Sequence, residues 1–276
     1  MQESDHTAEG SFYSTREPHL PIEPDVVQAY MGEDEVLTIQ YKSQFVYALG
    51  WMAAEGLGYP SEKIRVIENE TGGSFGYSVS PVTPALAAAC TLALGKPVNM
   101  TLTYAEHQHI TGKRTPSNTN IRLAADGNGK LQAMEYHISY EHGAYSEFTQ
   151  SLLTKAHYFM GFPYSIPNVM GIAQAAYSNL GYGTTYRAFA AVQALTASEA
   201  IIDMMAEKLD MDPFDFRYAN IARPGDLNTN GVPYNEYPFE EMMDMLRPKY
   251  KAAKERAKAR STSQKLCGVG MAMGGY

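Results

Sequence analysis

Asp126-Gly-Asn-Gly129 sits between two short apolar or alternating runs, Ile121–Ala125 before it and Lys130–Tyr140 after it. Asp-Gly and Asn-Gly steps supply the positive-φ positions that a tight hairpin needs. The stretch therefore predicts an antiparallel strand pair and commits the chain to a sheet. Further strands are expected over 36–41, 63–68, 98–103, 121–125 and 168–176. Between them run helical patterns over 44–55, 83–94, 149–158, 190–209 and 239–259, and Asp212-Pro213 opens another helix with proline in its first turn. The class is α/β of the mixed α+β kind. Residues 1–25, polar with Pro18, Pro21 and Pro24, read as a connector or the end of a preceding element, and 26–276 as the body of the domain. Gly268 to Tyr276 has the pattern of a strand that pairs with something later, which predicts a truncated or split chain.

Composition removes several function classes. At 276 residues and 45% hydrophobic, the chain can bury a sizeable core. A net charge of −8 without a basic stripe argues against nucleic acid as a partner. The Lys/Arg-rich stretch Lys249–Lys258 falls in a helical pattern and reads as a solvated face. No apolar run approaches the ~20 residues of a membrane span. Two distant cysteines, Cys90 and Cys267, fit a reducing, cytoplasmic setting and are too few to hold an iron–sulfur cluster alone.

Local motifs are suggestive without being decisive. In Gly72-Gly73-Ser74-Phe75-Gly76, free N–H groups could grip an anion or an oxo group, with Phe75 as a wall; a structural turn is the competing account. It matches neither G-x-G-x-x-G nor a P-loop. Tyr186-Arg187-Ala188-Phe189 leads into a long helix, where a cation opposes the helix dipole. Arg187 thus calls for an anionic ligand or a carboxylate partner. His107 and His109 share a face in a strand and diverge in a helix, and no third zinc ligand is near. His137 and His142 are expected at the surface or core edge, and Asp203, Glu207 and Asp210 on a solvated helix face.

The segments in order resemble the molybdenum-binding large subunit of the xanthine dehydrogenase/aldehyde oxidoreductase family. His19-Leu-Pro-Ile-Glu-Pro24 is similar to the lead into its molybdenum domain, and Gly72–Gly76 to its G-G-x-F-G loop. Ile110–Pro116 resembles I-T-G-x-R-x-P, Tyr164–Asn168 resembles Y-x-I-P-N, and Tyr186–Phe189 resembles F-R-G-F/Y. Gln193, Glu199, Asp212-Pro213, Arg217 and Asn220 match the helix pair that follows. Gly76-Tyr77 and Arg223-Pro-Gly-Asp226 point to the aldehyde oxidoreductase branch.

The resemblance implies a first molybdopterin-binding domain, incomplete at its C-terminus. Gln44 matches the glutamine that hydrogen-bonds the apical oxo group. Gly73, Phe75 and Gly76 match the loop against metal and pterin. Arg187 borders the molybdenum centre, and Phe189 sandwiches the substrate. Lys155 stands where many members orient substrate with arginine, and Val79 where purine-oxidising members have glutamate, which favours an aldehyde or another heterocycle. The cofactor is molybdenum-molybdopterin, plain or as the dinucleotide, with the metal held by the pterin dithiolene and by no side chain of this chain. Iron–sulfur clusters and FAD belong to partner chains or domains. The family's catalytic glutamate, its general base, lies downstream, so no catalytic residue is expected here. The implied partners are a second molybdenum-domain segment or subunit, an iron–sulfur subunit or domain, a flavin subunit and a small-molecule substrate. Ala188 and Ala190 stand where the family has glycine, and they keep open a rival account, a non-catalytic scaffold that binds no cofactor.

Overall fold

The computed structural model describes residues 4–235 and 237–276. The predicted hairpin is the centre of the larger of two four-stranded sheets. Strands β6 (Ser117–Ala125) and β7 (Leu131–Gly143) pair antiparallel around it. Asp126 Oδ1 accepts from the backbone N–H groups of Asn128 (2.9 Å) and Lys130 (2.8 Å), and Gly129 takes φ +77°. Outside this pair lie β1 (His6–Ser14), antiparallel to β6, and β8 (Asn168–Tyr177), parallel to β7, giving the order β1-β6-β7-β8. The parallel step needs a crossover, and α4 (Thr149–Phe159) is in it.

The smaller sheet has the order β4-β3-β2-β5, from β2 (Val26–Met31), β3 (Leu37–Tyr41), β4 (Ile64–Glu68) and β5 (Val98–Thr101). Its one parallel pair, β3 with β4, is bridged by α1 (Val46–Leu57). Helix α2 (Val82–Leu94) packs on β2 and ends at Gly95 in the left-handed conformation. Val27, Ala29, Leu37, Ile39, Leu49, Ala53, Ala87 and Ala88 fill the space between. The stretch Tyr77–Leu94 reaches the apolarity of a membrane span, contrary to the reading above. Its helix, however, starts only at Val82, and 13 residues span about 20 Å against a ~30 Å hydrocarbon layer. Half of the stretch is buried inside the protein.

Helix α5 (Ala191–Lys208) lies against β1 and β6, and α6 (Pro213–Asn220) and α7 (Phe239–Arg260) follow. Motif residues of this region are structural. Arg217, fully buried, donates to Glu199 (2.9 Å) and Asp203 (2.6 Å). Glu199 also accepts from the Tyr164 hydroxyl (2.5 Å). Asn220 donates to Gly129 O (2.8 Å) and accepts from Leu131 N (2.9 Å), binding α6 to the hairpin. Gln193 donates to Thr115 O (3.1 Å). Asp212 caps α6 by accepting from Phe214 N (2.8 Å).

Several expectations are corrected. Residues 6–14 of the supposed connector form strand β1, whose partner lies more than a hundred residues away and is invisible in local pattern; residues 1–3 of that connector lie outside the described residues. The expectation for Gly268–Tyr276, a strand whose partner lies later, is not among these corrections: the segment alternates in exposure as a strand does and packs Val269, Met271 and Met273 on the main core. His142 is buried (2% exposed), its ring nitrogens bonded to Thr115 and Glu147. Asp203 is half-exposed but ion-paired rather than simply solvated.

Candidate functional site

The turn before α1, the loop after β4, the loop before α5 and helix α4 converge around a cavity of about 940 Å³. Gln44 sits in the turn before α1, Phe75 and Gly76 in the loop after β4, Lys155 on α4, and Arg187 and Phe189 in the loop before α5; all of them line it. Gly73 does not. It packs against Pro21, while Gly72 N donates to Glu23 (2.6 Å), so this half of the glycine loop is anchored to the N-terminal segment.

The two wall loops are stitched together. Arg187 N donates to Phe75 O (2.8 Å), and the Thr185 hydroxyl donates to Gly76 O (2.7 Å). Gly76 has φ +114°, and a Cβ there would stand 2.7 Å from Thr185 O. Only glycine lets the loops approach this closely. Within the first loop, Ser74 Oγ accepts from Gly76 N (3.1 Å) and donates to Gln44 Oε1 (3.3 Å). That bond fixes the Gln44 amide with its N–H₂ group left for other partners.

Backbone strain concentrates here. Phe75 (φ 56°), Phe148 (φ 54°), Ala188 (φ 57°) and Ala190 (φ 64°) are all left-handed, at about 1–2 kcal/mol each for a non-glycine residue. The alanines thus occupy positions where the backbone favours the glycine of the family pattern. Ala190 is fully buried in the main core, so of the two methyls only that of Ala188 borders the cavity.

The site's charge is one-sided. Among the described residues no Asp or Glu lines the cavity, whereas Lys155 and Arg187 do. Arg187 is exposed and, among the described residues, has no carboxylate partner; the salt-bridge alternative for it is not realised. Helix α5 begins beside it without a side-chain cap or an acidic first turn, so its positive end is uncompensated. Lys155 Nζ meets the Tyr276 hydroxyl at 2.8 Å. Phe45, Val79, Phe148, Ser151, Thr185, Tyr186 and Ala188 complete the lining. Of these the sequence had singled out only Val79, Tyr186 and Ala188.

Behind the wall lies a buried polar layer. His107 and His109 diverge, as their helix α3 (Tyr104–Ile110) requires: His107 is fully buried and His109 is not. Burial, followed by the charges of Lys42 and Lys113, lowers His107 to about 4. Burial above all lowers His19 to about 4 and Lys113 to about 8. Burial raises Asp25, whose carboxylate has the hydroxyls of Thr83, Tyr41 and Tyr77 close by but outside good hydrogen-bond geometry. A second, aromatic cleft of about 760 Å³, walled by Phe159, Phe162, Tyr234 and Tyr237, adjoins the cavity through Ser151, Lys155 and Tyr276.

Residues 1–221 match the family described as the molybdopterin cofactor-binding domain. The chain belongs to this family. It is 42% identical over 273 residues to the aldehyde oxidoreductase of Megalodesulfovibrio gigas, a match spanning 99% of this chain and 30% of that protein. It is 29% identical over 250 residues to the nicotinate dehydrogenase large molybdopterin subunit of Eubacterium barkeri, spanning 90% of this chain and 59% of that protein. The solved aldehyde oxidoreductase from Desulfovibrio gigas superimposes with a TM-score of 0.93 over 95% of this chain and 29% of that one. The chain thus spans under two thirds of the length of these relatives.

The cavity's donor set fits such a cofactor. A molybdopterin brings phosphate and metal-oxo oxygens, which are anionic acceptors. The wall offers an amide, a guanidinium, an ammonium and an open helix N-terminus, with no opposing carboxylate among the described residues. Phe75 and Phe189 supply apolar faces. Among the described residues no group of three His, Cys, Asp or Glu side chains could hold a metal by itself.

Proposed function

We propose that this chain forms one wall of the molybdopterin site of an oxidoreductase that hydroxylates an aldehyde or an N-heterocycle with oxygen from water. The convergence of Gln44, Phe75, Gly76, Lys155, Arg187 and Phe189 on one cavity carries the reading. When bound, the cofactor supplies the two-electron redox chemistry. Gln44, oriented by Ser74, would help hold the group through its free amide N–H₂. Arg187 and the start of α5 hold negative charge. Phe75 and Phe189 flank a flat substrate and keep water from it, and the Lys155 ammonium orients the substrate carbonyl. Val79, 6% exposed, places an apolar side chain at the wall, which supports an aldehyde over a purine. The proton acceptor of the reaction comes from outside the chain, as do the iron–sulfur and flavin groups that accept electrons. The free cysteines Cys90 and Cys267 support a reducing, cytoplasmic setting.

The test is native mass spectrometry with metal and pterin analysis on the protein isolated from its own source. Molybdenum and pterin in a complex with further subunits or domains support the reading. A chain that comes down alone and free of both overturns it. Arg187→Met, made in the same protein, is expected to lower molybdenum content without loss of folded protein.

A further inference from the structure

We propose that His19, Arg114 and Tyr186 are positioning residues that latch the loop before α5 in its cofactor-facing shape, an inference that rests on the cavity being a molybdopterin site. The loop needs such a device. It has no regular structure between Thr185 and Ala190, and two of its alanines are left-handed. Conformations of that kind persist only where the surroundings over-determine them.

The surroundings here are specific. The Tyr186 ring is held between two planar groups: the His19 imidazole stacks on it at 4.3 Å between ring centres, and the Arg114 guanidinium lies 3.9 Å from its centre. The same two side chains hold the residues on either side of Tyr186. His19 Nε2 donates to Thr185 O (2.8 Å), and Arg114 Nη2 donates to Arg187 O (3.2 Å). Arg114 is fixed in turn by Glu17, at 2.7 Å from its Nε. His19 is 3% and Arg114 6% exposed, and neither lines the cavity, so both act through the loop. Burial keeps the His19 ring neutral near physiological pH, so the sandwich contains one cation rather than two. The Arg114 contribution requires a planar, forked donor, which lysine lacks.

The experiment uses the complete protein as isolated with its partners. Molybdenum and pterin are measured per folded chain after size exclusion, and hydrogen exchange is measured on the amides of Thr185–Ala190. Arg114→Lys and Tyr186→Leu are expected to lower bound molybdenum about tenfold, the scale of a lost supporting contact behind a metal site. Exchange in the loop should quicken while the hairpin of β6 and β7 stays protected. Tyr186→Phe keeps the stacked ring and should match the wild type. Arg122→Lys, a surface change on β6, controls for loss of an arginine as such. Wild-type molybdenum and loop exchange in Arg114→Lys overturn the latch, as does a Tyr186→Phe variant as defective as Tyr186→Leu. If the wild type itself holds no molybdenum, the cofactor reading fails; the exchange data then decide by themselves whether the latch exists.

Discussion

Gly76→Ala isolates the contact between the two wall loops. The backbone at Gly76 has φ +114°, beyond the left-handed well that other residues tolerate. Holding alanine there costs about 2 kcal/mol, the upper end for a left-handed residue. The new Cβ would lie 2.7 Å from Thr185 O and 2.9 Å from its carbonyl carbon. Relief requires the loops to part, which sacrifices the Thr185 hydroxyl bond to Gly76 O, worth about 1 kcal/mol. The sum, about 3 kcal/mol, is within the stability of an ordinary domain, so the variant folds. Its melting temperature should fall by roughly 6–12 °C for a chain of this size. Gly225→Ala is the control: φ is +94°, with nothing within 4 Å of the added Cβ, so it incurs the backbone cost of about 1–2 kcal/mol and no more. Thermal unfolding of both variants by circular dichroism measures the difference. Equal destabilisation by the two substitutions would refute the claim that loop contact at Thr185 makes glycine necessary.

Ala188→Gly should stabilise the protein by about 0.5–1 kcal/mol, because the left-handed penalty removed exceeds the entropy that glycine adds to the unfolded chain; a loss of stability in denaturant unfolding would contradict this. Arg217→Met should destabilise by about 3–5 kcal/mol, since Glu199 is left buried without its cation; Arg217→Met with Glu199→Leu should recover part of that, and a double variant as poor as the sum of the singles would argue against coupling. His19 and His107 are lowered to about 4 by burial, so the folded protein binds their protons only near that pH while the unfolded chain binds them near 6.5. Their contribution to stability is therefore complete above pH 6.5 and lost as pH falls towards 4, and His107→Leu should flatten the melting-temperature decline across that window; an unchanged slope would count against the assignment.

Much of the fold was legible because its signals are local. The 126–129 turn, the α2 stop at Gly95 and the Asp212-Pro213 start each depend on residues within one turn of each other, and the structure has them where the sequence puts them. The misses share the opposite property. Strand β1 is polar and has β6 as its one partner, so its existence depends on pairing across the whole domain. Helix α3 carries a legible mark, the Thr103/Glu106 capping box, at the end of a stretch whose pattern predicts a strand over 98–103. The lining by Phe45, Phe148 and Ser151, and the buried layer of His19, Asp25 and His107, arise where segments far apart in sequence meet, and no window of residues contains that information.

Arg187 and Arg217 show what the structure adds to an ordered match of motifs. In sequence both are arginines following an aromatic residue, and both belong to the pattern that places the chain in its family. The protein treats them oppositely. Arg217 has no exposed surface and is met by Glu199, Asp203 and two backbone carbonyls, because a guanidinium taken out of water must have all its donors engaged. Arg187 is exposed beside an uncapped helix start, and among the described residues only its backbone is engaged. Among the described residues the cavity that Arg187 borders has no acidic lining, so positive charge accumulates there, an arrangement that favours an anionic group. The difference is electrostatic: Arg217 ties α6 to Glu199 and Asp203 of α5, whereas the role proposed for Arg187 is to meet an anion at the wall.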